Sequence, residues 1–255
     1  MIEEYPKIIC DKINCDQQRA RLRIGASYTI FIERKRLISG IDEGTHNNYK
    51  FIVMELLGAN LSRIRKLLAN WRFKSNIVVK IGICILDALN IVHNIGYTHS
   101  DVKPSNMCIG QGEKVRLSLV DFGLSRKIDR VSSYAKFRGT RKYCSINAHQ
   151  QIAHAPSDDI ASLFYSLIEL SEGVLPWSSL HEKNDICFQK RMLTKETVFK
   201  YQSPKLWLFY VDGYENCSDR FELDYSLLLK NLESCLDDPK CSSITTEDWK
   251  YLNNR

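Results

Sequence analysis

Between Tyr97 and Asn106 the chain reads Tyr-Thr-His-Ser-Asp-Val-Lys-Pro-Ser-Asn, and Val-Asp-Phe-Gly follows at 120–123. Asp101, Lys103, Asn106 and Asp121 therefore place two carboxylates, an ammonium and an amide on two neighbouring loops, each beside an apolar run. That set suits transfer of a phosphoryl group to a hydroxyl. The transition state is loose and spreads charge over phosphate oxygens, so it needs a carboxylate facing the hydroxyl, magnesium ligands and a nearby cation. In such chemistry Asp101 is the base, Lys103 the cation, and Asn106 and Asp121 the Mg2+ ligands.

Rigid elements must hold these loops. Ile77, Val78, Ile81, Ile85, Leu89 and Val92 recur at helical spacing, which predicts a long buried helix capped by Ser75 or Asn76 and ended before Gly96. Val115–Val120 predicts the strand that delivers Asp121, and Leu61–Leu68 a short helix. Tyr49–Met54 is aromatic and β-branched and predicts a strand running into Glu55-Leu56-Leu57-Gly58. Asp158-Asp159 opens a further buried helix with Ile160, Leu163, Phe164, Leu167, Ile168 and Leu170 on its apolar face, and Tyr225–Leu236 predicts the last one. The polar residues from Asp237 read as a loose tail. The N-terminal part is less legible: 8–13 reads as a strand carrying Lys12, and Arg21–Glu33 as a helix whose propensity Thr29, Ile30 and Ile32 dilute.

The 255 residues suffice for one large domain or two lobes, and 44% hydrophobic with 26% charged residues is ordinary for a globular chain. The longest apolar stretch, Ile77–Val92, carries Lys80 and Asp87, so neither a transmembrane helix nor a signal peptide is expected. Nine scattered cysteines without a Cys-x-x-Cys read as reduced core thiols. The compartment expected is cytosol or nucleus. A net charge of +6 raises a nucleic-acid reading, with Arg19, Arg21, Arg23 and Arg34–Arg36 as patches. These lack interleaved aromatics and match no nucleic-acid motif, so a solvated face or a docking surface for acidic proteins is the preferred reading, with no nucleic acid or membrane as partner.

Asp101 to Asn106, followed by Asp121-Phe122-Gly123, resembles the catalytic loop and Asp-Phe-Gly of the eukaryotic protein kinases. The resemblance implies an α+β, two-lobed fold: a small, incomplete β-rich N-lobe with the hinge over 1–57, a mainly helical C-lobe over 58–236, and a tail over 237–255. It implies ATP and Mg2+ as cofactors, with Met54 as gatekeeper and the backbone of Glu55 and Leu57 meeting the adenine edge. Lys12 becomes the candidate phosphate-binding lysine, with an exposed surface lysine as the alternative. Asp159 would brace the catalytic-loop backbone. Ser100 stands where the family has Arg, the partner of a phosphorylated activation loop in many kinases, so activation of that kind is not expected. No Gly-x-Gly-x-x-Gly occurs, and aligning residues 22–27 with the family's helix puts Gly25 in place of its paired Glu, so the lobe reads as lacking its first two strands and its ion pair.

Phe137-Arg138-Gly139-Thr140, with Ser145-Ile146-Asn147-Ala148-His149 and Leu175-Pro176-Trp177, resembles the casein kinase 1 superfamily and its tau-tubulin kinase-like branch. Two departures accompany this: a short segment from Asp121 to Gly139, and Glu222-Leu223-Asp224-Tyr225 where that family has Arg-Pro-Asp-Tyr. The resemblance implies a monomeric serine/threonine kinase acting on proteins that are acidic or already phosphorylated, with Arg141 and Lys142 as anion contacts. The rival reading is a pseudokinase or allosteric scaffold with weak or no ATP turnover.

Overall fold

The computed structural model describes residues 21–24, 28–31, 40–46, 49–54, 56–110 and 117–237. Among the described residues, two antiparallel hairpins make up the strand-rich lobe. β1 (Arg21–Ile24) pairs with β2 (Tyr28–Phe31), and β3 (Gly40–His46) with β4 (Tyr49–Met54), whose register shifts between Gly40 and Asp42. The first hairpin overturns the helix expected over Arg21–Glu33 and, with it, the alignment of 22–27 on a helix. Tyr28, Thr29 and Ile30 are aromatic and β-branched, lose rotamer freedom in a helix and fit a pleated surface. β1 lies beside the single turn Phe122–Leu124 that carries the Phe-Gly of Asp-Phe-Gly.

The helical lobe begins where β5 (Leu57–Asn60) joins β7 (Met107–Gly110) and β8 (Leu117–Leu119) in a sheet of order β5-β7-β8. Asn60 caps α1 (Leu61–Arg65) by accepting from Arg63 N at 2.9 Å. This helix stops short of the expected Leu68, and Leu67 is exposed. The chain then turns through Asn70 and Trp71, both at φ 56°.

α2 (Ser75–Asn94) is the centre of the lobe. By length and mean hydropathy of 1.7 it is apolar enough to cross a membrane, yet Val78, Val79, Ile81, Ile85, Leu89 and Val92 are fully buried against α4 (Pro156–Glu172), α8 (Tyr225–Ser234) and β8. It is a core helix. Each such side chain contributes about 1.5–3 kcal/mol by leaving water. The axes of α2 and α4 approach closely at Gly82, where a Cβ would sit 3.0 Å from Leu167 Cδ1. Neither expected cap forms: Lys74 is the N-cap, and no side chain caps the helix there. The Ser75 hydroxyl instead bonds Gln202, and Asn76 Oδ1 accepts from Ile77 N at 2.8 Å.

α4 is buried all round, as a helix at the centre of a large lobe must be. Pro156 occupies its first turn, where a missing N–H costs nothing, and Asp158 accepts from Ala155 N at 2.8 Å. Short helices complete the lobe: α3 (Ile146–His149), α5 (Lys183–Arg191), α6 (Lys195–Val198) and α7 (Leu206–Tyr210), the last continuing into a wider turn over Val211–Glu215. Phe164 stacks on Tyr210 at 4.4 Å, and Tyr165 meets Trp177 edge-on at 5.1 Å. α8 ends at Ser234, before the expected Leu236. Cys84, Cys108, Cys144, Cys187, Cys217 and Cys235 form no disulfide, and among the described residues no group of His, Cys, Asp or Glu forms a metal cluster.

Candidate functional site

After α2 the chain enters β6 (Tyr97–Thr98), which pairs antiparallel with β9 (Arg126–Lys127), so Thr98 lies opposite Arg126. This pairing draws the loop 99–106 and the turn after Asp121 together. The buried carboxylate of Asp159, from α4, then fixes the backbone: it accepts from His99 N at 2.7 Å and Ser100 N at 2.9 Å. Two histidines hold it in turn, His93 at 2.9 Å and His154 at 3.2 Å. Burial alone would raise the Asp159 pKa, but the hydrogen bonds and charges of His154 and His93 outweigh it and hold the carboxyl far below its ordinary value. For His154 burial pushes down, and the Asp158 and Asp159 carboxylates more than reverse it, so its imidazole lies above the usual value.

His99 is fully buried, and desolvation keeps its ring neutral. Its Nδ1 accepts from Asp101 N at 3.3 Å and its Nε2 donates to Val120 O at 3.0 Å, which assigns the tautomer and joins the two loops. The Phe122 ring packs against His99 edge-on at 4.7 Å.

Asp101 is met by four donors from three side chains and one backbone amide. Oδ1 accepts from Thr140 N at 3.1 Å and Thr140 Oγ1 at 2.8 Å; Oδ2 accepts from Lys103 Nζ at 2.5 Å and Asn106 Nδ2 at 3.4 Å. Lys103 Nζ also donates to Thr140 Oγ1 at 2.9 Å, so Asp101, Lys103 and Thr140 close a ring of contacts. Thr140 reaches this position because Gly139 precedes it at φ +96°, where a Cβ would meet Ser100 O at 2.8 Å. Only glycine fits.

The structure brings Asp101, Lys103 and Asn106 into direct contact. Asp121 reaches the same end of the β7–β8 hairpin, since Val120 N donates to Asn106 O at 2.9 Å, and its side chain is exposed. Asp121 takes a left-handed conformation, φ 67°, turning the chain sharply into Phe122. Of the residues expected at the adenine, Met54 ends β4 opposite Gly40 and Leu57 opens β5 opposite Gly110. Glu55 and Lys12 lie outside the described residues, as do Gly25 and the tail from 238.

One expected anion contact is corrected. Lys142 donates to Glu169 at 2.5 Å, beside Arg65 and Tyr143, which bind the same buried carboxylate at 3.2 and 2.5 Å, so its charge is spent within the fold. Arg141 stays exposed. A small hollow of about 10 Å³ next to Ser100 is lined by Arg126, Lys136, Phe137, Arg138 and His154. The Arg126 guanidinium is held below its ordinary value by burial and by the charge of Arg138. Thr140, His93, His154 and Glu169 were not singled out from sequence for these roles, and only Thr140 carried a signal, inside Phe-Arg-Gly-Thr.

Against known proteins, the protein kinase domain model matches residues 23–234. A Dictyostelium discoideum protein named as a serine/threonine-protein kinase is 35% identical over 220 residues, which is 83% of this chain and 44% of that one. A Caenorhabditis elegans protein named for casein kinase I is 33% identical over 81% of this chain and 64% of its own length. This chain thus spans between 44 and 65% of the length of these and a further C. elegans kinase relative. The solved structure of vaccinia related kinase 3 superposes with a TM-score of 0.70 at 21% identity, covering 81% of this chain and 68% of that one, and shares the fold. With its strand-rich and helical lobes and a matching domain model over most of its length, the chain belongs to the protein kinase family.

Proposed function

We propose that the chain is an ATP-dependent serine/threonine protein kinase of the casein kinase 1 superfamily, nearest in pattern to the tau-tubulin kinase-like branch. The observation that carries this reading is the Asp101 carboxylate, oriented by Thr140, Lys103 and Asn106 on a loop whose backbone Asp159 fixes. A positioned base on rigid supports is what transfer to a hydroxyl requires.

Asp101 is the base. Its four contacts occupy the carboxylate, so an entering Ser or Thr hydroxyl displaces one donor and gives its proton to the oxygen released. Lys103, already bridging Asp101 and Thr140, supplies positive charge where phosphate oxygens gather. Asn106 and Asp121 offer an amide oxygen and an exposed carboxylate at one end of β7–β8, hard oxygen donors suited to Mg2+. When bound, Mg2+-ATP supplies the transferable phosphoryl group and neutralises its charge. The backbone around Glu55 and Leu57 would meet the adenine edge, with Met54 behind it, and Lys12 is the residue to test at the phosphates. Lys136 and Arg138, exposed beside Arg126, and exposed Arg141 are positive charges that support acidic or phosphorylated protein substrates.

The second reading, a pseudokinase scaffold, is favoured by one observation: the sequence has no Gly-x-Gly-x-x-Gly to cover the phosphates. Radiolabelled transfer separates the two. Asp101→Asn should leave nucleotide binding nearly unchanged and lower transfer by about 10² to 10⁴, the worth of a positioned base; transfer at the parental rate in that variant ends the assignment.

A further inference from the structure

Lys190, on α5, is 1% exposed, yet among the described residues no carboxylate pairs with it. A buried ammonium without a counter-ion is costly unless hydrogen bonds replace its hydration. Here the replacements come from one segment. Nζ donates to Arg141 O at 2.8 Å and Cys144 O at 2.6 Å, and to His149 Nε2 at 3.2 Å, with the faces of Tyr165 and Trp177 at 4.9 and 5.2 Å. Trp177 Nε1 takes the intervening carbonyl, Lys142 O, at 2.8 Å. The turn that starts at Thr140, closed by Tyr143 N and Cys144 N donating to Thr140 O at 2.9 and 3.0 Å, is thus gripped from beneath at three of its carbonyls. Thr140 is the residue that binds Asp101.

We infer that Lys190 is a positioning residue of the phosphoacceptor side: its ammonium fixes the turn 140–144, and through Thr140 the angle at which a protein substrate meets Asp101. The inference rests on the kinase reading for its consequence, though not for its geometry. Burial holds the Lys190 ammonium down at about 8, while Cys144 and Cys187 pull the other way. The other groups facing it are His149 on α3, Cys144 on the turn, Tyr165 on α4 and Cys187 on its own helix, with Lys183 of that helix acting on His149 and Cys144. Burial, with the Lys190 and Lys183 charges, pushes His149 down to about 3; burial lifts Cys144 to about 11 and Tyr165 well above its ordinary value. Those three stay neutral between pH 7 and 9.5, whereas Lys190 loses its proton there and its charge-assisted bonds weaken.

The test is tryptic cleavage after Arg141 and Lys142 in the native full chain, normalised to a free peptide of residues 138–147, with calorimetric ATP binding and casein phosphorylation alongside. In Lys190→Met the turn should be cut at least about tenfold faster and the KM for casein should rise about tenfold, while ATP affinity and the KM for ATP stay within about twofold. A folded Lys190→Met cut at the parental rate, or one whose ATP and casein constants worsen equally, overturns the inference. Should that variant not fold, the wild type decides: cleavage of the turn should rise several-fold from pH 7 to 9.5, with Cys187→Ser behaving alike, and a flat profile overturns it. If the turn loosens while the wild-type chain transfers no phosphate, Lys190 keeps its role and the kinase reading fails separately.

Discussion

Thr140 holds Asp101 through both its backbone and its side chain, N–H at 3.1 Å and hydroxyl at 2.8 Å, across 39 residues of sequence. The chain after Gly139 is thereby tied to the loop that carries Asp101. Thr140→Val keeps the backbone bond and the side-chain shape but removes the hydroxyl from Asp101 and Lys103. Hydrogen bonds to charged groups contribute about 1.5–3 kcal/mol, so turnover should fall on the order of tenfold to a hundredfold with little change in ATP affinity. Steady-state kinetics with casein checks it, and unchanged turnover would remove Thr140 from the site.

A pH dependence follows from the pair His154–Asp159. Asp159, held below its ordinary value, contributes stability present above about pH 4 and lost only in acid. His154 works in the opposite direction. Its folded value is raised, so its contribution is complete below about 6.5 and declines as pH rises through the folded value. The gap in melting temperature between the parent and His154→Gln should therefore be wider at pH 6 than at pH 8.5. Thermal unfolding at the two pH values decides it; a gap that widens with pH has the wrong sign for this pairing.

The distribution of what sequence revealed follows the range of the interactions. Asp101, Lys103 and Asn106 are five residues apart or fewer and α2 repeats every turn, so spacing alone places them. The hairpin β1–β2 was hidden because Arg21–Phe31 mixes strand formers with charges, and pairing rather than local propensity settles it. The capping of α2 was also misplaced: Ser75 points to Gln202, 127 residues on. Lys190 left no trace, since the carbonyls it binds lie 49 and 46 residues away.

Phosphorylation of the segment at Ser132, Ser133 or Tyr134 should not govern activity. Those residues are exposed, Ser100 supplies no guanidinium, and its hydroxyl is engaged with Thr98 Oγ1 at 3.0 Å. Phosphatase treatment should change casein phosphorylation by less than about twofold. A large loss would make Arg126 and Arg138 the receptor for a phosphate on this chain.

ATP should bind weakly, and the weakness should lie at the phosphates. A complete kinase site clamps them from both sides, with loop amides and a lysine above and metal-bound oxygens below. On the proposed reading Asn106, Asp121 and Lys103 would provide the lower half, while the sequence has no Gly-x-Gly-x-x-Gly for the upper. Charge-assisted contacts contribute about 1.5–3 kcal/mol each, so loss of the upper clamp weakens ATP by tens to hundreds of fold. An adenine-directed inhibitor that uses the backbone near Leu57 loses far less, because its contacts avoid the phosphates. Calorimetry of both ligands, with and without Mg2+, checks the contrast. Micromolar ATP affinity would mean that an upper clamp exists after all, and Lys12→Met is then the variant that locates it.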